Sequence, residues 1–285
     1  MNLTLRPGKP EDTHACASIC YQAFKAIADE HHFPPDFPDT ETAVGLMNYI
    51  FSNASVYSVV AEGKGQIVGS NFLWENPFIA GVGPITVDPT CQNAAAGKKL
   101  MERVLLRAEE LKLAGVRLVQ AAYHNRSLAL YTKLGFNVQE PLSAMQGAAL
   151  GISFPGYHVR PANEADLNSC NQLCFKIHGH ERSHELLGAI RAGTSSVVEH
   201  NGMITGYTTQ VGFLGHTIAA TNTGLKSLIG AAANFSGAGF LLPSRNAEVM
   251  RWCLHNGLRV IQPMTLMSKG LYNDPAGAFL PSVLY

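Results

Sequence analysis

The chain has 285 residues, 46% of them hydrophobic and 15% charged, so it is long for a single core and sufficient for two. Its 21 basic and 21 acidic residues balance, which argues against a nucleic-acid or membrane-surface partner, since both need a basic excess. No apolar run approaches the roughly 20 residues that span a bilayer. The first residues also lack the charged-then-apolar pattern of a secretion signal, and the scattered Cys16, Cys20, Cys91, Cys170, Cys174 and Cys253 read as reduced buried thiols, so a cytoplasmic protein is expected.

In chain order, Leu3–Pro7 reads as a strand, followed by a helix over about 11–27, a Pro-rich loop and a helix over 40–51. Strands at 57–62 and 67–74 flank Gly63-Lys64-Gly65, a good hairpin turn. A third strand over 81–87 stops before Pro89. The loop Gln92-Asn93-Ala94-Ala95-Ala96-Gly97 then opens a helix whose Leu100, Met101, Val104, Leu105, Ala108 and Leu111 form one apolar face. Free backbone N–H groups at the positive end of that helix suit a phosphate-bearing ligand. Small side chains let such a ligand reach the backbone. A strand over 116–122, a short helix from Asn125 past Tyr131, a stop at Gly135 and a further strand follow.

The opening pattern then returns. With Arg6 set on Arg160, Pro7 falls on Pro161, Asp12 on Asp166, Cys16 on Cys170 and Cys20 on Cys174, which indicates an internal duplication. The expected organisation is one domain over 1–142, a linker over 143–156 and a second domain over 157–285. In the second copy, strands are expected at 195–200, 204–211 and 217–221, with Asn201-Gly202 as the turn. The segment after Thr221 has no Gln-x-x-Gly-x-Gly loop, and the helix over 246–257 carries Trp252 near the place of the tyrosine. An indole cannot donate a proton as a phenol does, so one active site per chain is expected.

The loop from Gln92 to Gly97, followed by Asn125, Tyr131 and Gly135-Phe136, resembles the GNAT superfamily of acyl-CoA-dependent N-acyltransferases. That family's loop reads Gln/Arg-x-x-Gly-x-Gly/Ala, and Ala95 stands here for its first glycine. The resemblance covers nearly the whole chain, closely in the first copy and loosely in the second, and so implies a tandem protein with a degenerate second domain. The implied fold is α/β (α+β): two GNAT-like domains, each a mixed, mostly antiparallel sheet flanked by helices. The implied activity moves an acetyl group from acetyl-CoA, as co-substrate, to a primary amine by direct transfer, with no metal. In this likeness the loop at Gln92, Asn93, Ala94, Ala95, Ala96, Gly97 and Lys98 holds the pyrophosphate through its backbone. Backbone groups of Ile85, Thr86 and Val87 serve the pantetheine arm and carbonyl, because the strand before the loop splays from its neighbour. Asn125 contacts the cofactor arm, and Tyr131 is the general acid, its phenol protonated at neutral pH.

The general base is not legible: His124, Glu75 or a chain of waters would serve. His31-His32 with the segment 33–37 is expected as a lid on the acceptor side. The histidines His178, His180 and His184 suit either a metal site or a polar turn between helices. The apolar tail over 272–285 is expected to pack back onto the body, where the Tyr285 carboxylate is a further candidate base. The expected partner is a small-molecule or peptide amine acceptor, with homodimerisation open and neither nucleic acid nor membrane involved. The competing function is a non-catalytic acyl-CoA-binding sensor or regulator.

Overall fold

Lys64 and Gly65 both take positive φ (53° and 77°), the turn geometry that folds β2 (Val56–Gly63) back onto β3 (Gln66–Trp74). That hairpin is the centre of the first sheet in a computed structural model that describes residues 3–284. The described chain divides into two units: residues 3–137 with Met267–Leu271 and Leu284 in one, and Val138–Leu266 with Tyr272–Val283 in the other.

In unit 1, β1 (Leu3–Pro7) pairs antiparallel with β2, and the sheet continues through β3, β4 (Ile79–Val82) and β6 (Gly115–Ala121) to residues 267–270. Helices α1 (Thr13–His31) and α2 (Thr40–Ser52) bury Cys16, Cys20, Met47 and Ile50 against Val60 and Phe72 of the sheet. Helix α3 (Ala96–Glu110) buries Leu100, Met101, Val104 and Leu105 in a second cluster with Val59, Leu73 and Leu118. Burial on this scale is the main stabilising contribution to such a sheet–helix layer.

Three boundaries differ from the sequence reading. The strand expected over 81–87 is interrupted: β4 ends at Val82, and β5 is only Thr86–Val87. Pro84, between them, has no N–H with which to continue a ladder. Helix α3 begins at Ala96, inside the expected loop, because Pro89–Ala94 already coils as a 3-10 turn. Leu111 is exposed rather than core, since α3 stops at Glu110 and Lys112 turns the chain at φ 55°. Helix α4 (Asn125–Lys133) and the start of β7 (Asn137–Gln146) complete the first copy.

Unit 2 repeats the plan. Strand β8 (Tyr157–Pro161), helices α5 (Leu167–His178) and α6 (Ser183–Arg191), and strands β9 (Ser196–His200), β10 (Met203–Thr208) and β11 (Thr217–Ala219) follow in order. Then come α7 (Asn222–Ala231), β12 (Phe240–Pro243), α8 (Ala247–His255), β13 (Arg259–Gly270) and β14 (Ala278–Leu280). One sheet has the order β14-β11-β10-β9-β8, and β13-β7-β12 lie side by side. The tail packs back as expected. Strand β14 pairs with β11, and the Val283 N–H donates to the Phe213 carbonyl.

The duplication is visible in side-chain geometry as well as in the strand–helix order. Arg6 donates to both Asp12 oxygens (2.7 and 2.9 Å) and to Glu62 (2.8 Å). Arg160 makes the same fork to Asp166 (2.7 and 2.8 Å) and reaches Glu199 (2.7 Å). Each aspartate also closes a capping box on the turn before its helix.

Candidate active site

The strand before the loop stays with one neighbour and leaves the other. Strand β4 pairs in parallel with β6 from Ile79↔Gly115 to Gly81↔Arg117. Beyond that point β5 pairs with β3 alone among the described residues, through Gly69↔Val87 and Ser70↔Thr86. The backbone of Thr86 and Val87 on the side of β6 is therefore outside any ladder, and Ile85 lies just before it. Gly69 permits this approach: a Cβ there would meet the Thr86 carbonyl oxygen at 2.7 Å and the Val87 Cα at 3.3 Å. Sequence reading missed Gly69, because nothing in a strand pattern says which glycine faces a close backbone.

Strand β5 leads through the 3-10 turn to the start of α3. Asp88 accepts from the Thr90 N–H and fixes the turn. Ala95 then takes a left-handed conformation, φ 58° and ψ 18°, and α3 begins without a side-chain cap. Alanine is strained there where glycine is not, by about 1–2 kcal/mol. The first hydrogen bond inside the helix runs from the Lys99 N–H to the Ala95 carbonyl, at 3.1 Å. The N–H groups of Ala96, Gly97 and Lys98 precede that bond and have no partner within the helix. A Cβ at Gly97 would find only ordinary contact with Leu130 and Val87, so Gly97 keeps space open over this end. The Lys98 ammonium sits 3.5 Å from Glu102 on the exposed side. The side chains of Gln92, Asn93 and Ala94 lie outside the described residues.

Helix α4 supplies the phenol. Tyr131 is its one buried residue, packed among the cluster that holds Leu100 and Val104, with its ring centroid 6.2 Å from that of Phe136. Burial pushes the Tyr131 hydroxyl up to about 12, opposed by the nearby hydroxyl of Ser127 one helical turn earlier. Ser127 Oγ in turn lies 2.7 Å from Nδ1 of His124, the residue that precedes the helix. Burial is the largest factor holding His124 below its ordinary value, followed by the positive charges of Arg126 and His31. Asn125, the first helical residue, is exposed, and its N–H donates to the Tyr123 carbonyl. Ser127 escaped sequence reading because a serine in a helix carries no signal until its partners are known.

The segment expected as a lid lies against Tyr123, which precedes this helix. Phe33 stacks on Tyr123 (centroids 4.2 Å apart, planes 7° from parallel), and His31 lies 5.3 Å from the same ring. Burial and the Asp36 carboxylate raise Tyr123 to about 12. Glu75 is engaged elsewhere: Arg107 donates to both of its oxygens, at 2.7 and 3.3 Å, and this pair rather than an acceptor explains its position. The Tyr285 carboxylate lies outside the described residues.

The second copy closes what the first leaves open. Thr221 Oγ1 caps α7 by accepting the Gly224 N–H. Asn222 and Lys226 both donate to Glu248 (2.8 and 2.9 Å), so a side-chain carboxylate already sits beside that helix start. Trp252 of α8 lies against Phe154 with ring centroids 5.9 Å apart. His178 and His180 are buried and 5.9 Å apart, whereas His184 is exposed. Among the described residues no three His, Cys, Asp or Glu side chains gather as a metal site.

Residues 21–136 match the acetyltransferase (GNAT) family. That match falls within unit 1. Solved structures extend the likeness in fold to both units. A protein of Pyrococcus horikoshii described as a candidate acetyltransferase superposes over 97% of this chain and 94% of its own, with a TM-score of 0.73 at 16% identity. A GCN5-related N-acetyltransferase from Sphaerobacter thermophilus covers 95% and 96%, with a TM-score of 0.63 at 13% identity. A tandem GNAT protein from the clavulanic acid biosynthesis pathway covers 94% and 98%, with a TM-score of 0.58 at 13% identity. At these identities the likeness is one of fold, and the fold is two GNAT-like domains. No curated protein matches this chain in sequence. No helix among the described residues is long and apolar enough to cross a membrane.

Proposed function

We propose that the protein is an N-acetyltransferase that binds acetyl-CoA at unit 1 and passes the acetyl group directly to a primary amine. The observation that carries this reading is the contrast between two equivalent helices. Helix α3 starts without a side-chain cap after a strand that has left its neighbour, while α7 starts under Thr221 with Glu248 beside it. An uncapped helix start with three N–H groups that have no partner within the helix suits the pyrophosphate, because the helix dipole adds to three donors. Residues 92–98 would cradle it. The unladdered backbone at Ile85, Thr86 and Val87 would run beside the pantetheine arm and orient the thioester carbonyl, and Asn125 would lie along the arm.

Tyr131 is the general acid in this reading. A phenol raised to about 12 stays protonated at neutral pH and can protonate a departing thiolate. His31, Phe33 and Tyr123 form the acceptor side, and their aromatic character favours an amine with an apolar body, a small molecule or a peptide end. One active site per chain follows from the capped α7.

Two measurements test the proposal. Saturating acetyl-CoA should raise the melting temperature, since a ligand at about 100 times its Kd that binds only the folded state adds roughly 2.7 kcal/mol. Tyr131→Phe should lower kcat by about 10²-fold or more while leaving acetyl-CoA affinity unchanged. Absence of a thermal shift would refute the binding reading. Unchanged binding with no thiol release in the parent protein, across amino acids, polyamines, aminoglycosides and peptides, would favour an acyl-CoA sensor instead.

A further inference from the structure

We infer that Gln120 is a cofactor-recognition residue whose side-chain amide reads the pantetheine arm of acetyl-CoA, adding a side-chain contact to the backbone groups of β5. The inference rests on the acetyltransferase reading of unit 1 and adds to that site a residue outside both the loop and the tyrosine helix.

Strand register places the residue. Arg117 of β6 stands opposite Gly81 of β4, which stands opposite Trp74 of β3. Three residues further along the sheet, Gln120 of β6 is level with Asn71 of β3. Ser70 pairs with Thr86 of β5, so Asn71 is level with Ile85 as well. Ile85 and Gln120 therefore stand on opposite sides of the gap that opens where β5 leaves β6. Side chains alternate between the two faces of a strand. Val116 and Leu118 of β6 share the α3 cluster with Tyr131, and Ile85 packs against it, so Gln120 points to that same face.

The amide has no partner there. Gln120 is 6% exposed, and neither Nε2 nor Oε1 makes a hydrogen bond among the described residues. Asn71, level with it and fully buried, shows how the fold treats an amide that serves the scaffold. Its Nδ2 donates to the Leu100 carbonyl at 3.4 Å, and its Oδ1 accepts the Phe72 N–H at 2.9 Å. A buried donor or acceptor left unpaired has lost its water and gained nothing, so Gln120 is costly unless a ligand supplies both partners. The pantetheine arm is complementary to it. The arm carries two secondary amides, each with one N–H and one carbonyl, on an otherwise saturated chain. Gln120 Nε2–H gives to an arm carbonyl and Oε1 takes an arm N–H, while the unladdered backbone at Ile85 holds the arm from the other side. A thioester oxygen alone would satisfy only the donor, so the arm, and not the reacting carbonyl, is the group read. No bond or proton changes hands at Gln120, which is a binding residue.

The test compares the full chain with Gln120→Met and Gln120→Leu, which remove the amide and keep an apolar side chain of similar size. Calorimetry measures binding of acetyl-CoA and of 3′-phospho-ADP, which keeps the pyrophosphate and lacks the arm. Melting temperature without ligand is recorded alongside. Both variants are expected to weaken acetyl-CoA binding about 10-fold or more, because two hydrogen bonds are lost, and to leave 3′-phospho-ADP binding within about twofold. The unliganded variants are expected to melt about 2–4 °C higher, since unpaired polar groups have gone from the interior. A structural role for Gln120 would instead lower the melting temperature and weaken both ligands together. That result, or unchanged acetyl-CoA affinity in both variants, would overturn the inference while leaving the acetyl-CoA reading standing. Failure of the parent protein to bind acetyl-CoA would overturn that reading and the inference with it.

Discussion

Acid should unfold unit 2 through one histidine. His216 is 1% exposed, with Nε2 3.0 Å from the Tyr207 hydroxyl and Nδ1 3.3 Å from the Glu185 carboxylate, which Arg182 also holds at 2.7 Å. Burial, aided by the Arg182 charge, lowers His216 from 6.5 to about 4 despite the opposing pull of Glu185. As pH falls through 6.5 the unfolded chain therefore takes up a proton at this position, and the folded protein does not until near 4. The unfolded state binds more protons in that window, so stability falls with acidification. The difference between the two pKa values corresponds to about 3 kcal/mol in full and about 2 kcal/mol by pH 5. Glu185 is held well below its ordinary range, so its loss adds only at still lower pH.

Trp252 belongs to unit 2 and Trp74 to unit 1, so a Trp74→Phe background lets tryptophan fluorescence report unit 2. Urea unfolding at pH 7 and pH 5 should then show a loss of about 2 kcal/mol between the two. His216→Gln, which keeps an amide donor and acceptor but does not titrate, should remove most of that pH difference, whatever it costs at pH 7. A variant with the same loss between pH 7 and 5 as its parent would show that His216 is not the proton site, and the reasoning would fail.

The loop and its supports yield three further expectations. Gly69→Ala would drive a Cβ into the Thr86 carbonyl at 2.7 Å, so β5 should shift; a destabilisation of about 1–3 kcal/mol and weaker acetyl-CoA binding are expected in calorimetry. Ala95→Gly relieves a left-handed alanine but frees the unfolded chain, leaving a net gain of up to about 1 kcal/mol with acetyl-CoA binding preserved, while Ala95→Val should lose both stability and binding. Cys91 is half-exposed on the turn before α3, and the other five cysteines are buried, with Cys16 raised to about 11 and Cys170 and Cys253 to about 12. A thiol reagent should therefore label one cysteine of the native protein quickly, and acetyl-CoA should slow it; rapid labelling of several would contradict the burial.

What the sequence reveals here depends on whether the signal is local. The apolar face of α3 was legible because Leu100, Met101, Val104 and Leu105 all point at one core and repeat at the helical period. The Lys64-Gly65 and Asn201-Gly202 turns were legible because positive φ restricts the residue choice. Leu111 misled because a periodic pattern does not say where a helix stops, and here the stop is set by Lys112 turning left-handed. Glu75 looked available for catalysis only because Arg107, far along the chain, is invisible beside it. Ser127 was passed over for the opposite reason: its partner His124 lies only three residues away, but the pairing depends on how the helix is placed in the core.

The duplicated Arg–Asp–Glu forks carry this argument one step further. Arg6 with Asp12 and Glu62, and Arg160 with Asp166 and Glu199, are the same device in two units, each holding a strand to the first turn of its helix. Both forks sit at the far end of the sequence pattern from the loop and the tyrosine helix. Selection on folding acts on both copies alike, so the scaffold survives twice. In the proposed reading binding acts on one, so only one copy keeps an open helix start. The open start costs stability, because a helix end without a cap forgoes about 1 kcal/mol and Ala95 adds strain of similar size. In the second copy Thr221 supplies that cap, and no ligand is needed to satisfy the helix. An unrelieved cost at one helix and its relief at the equivalent helix is the pattern expected of a site kept for a ligand, and it is the ground on which the acetyl-CoA site is proposed in unit 1.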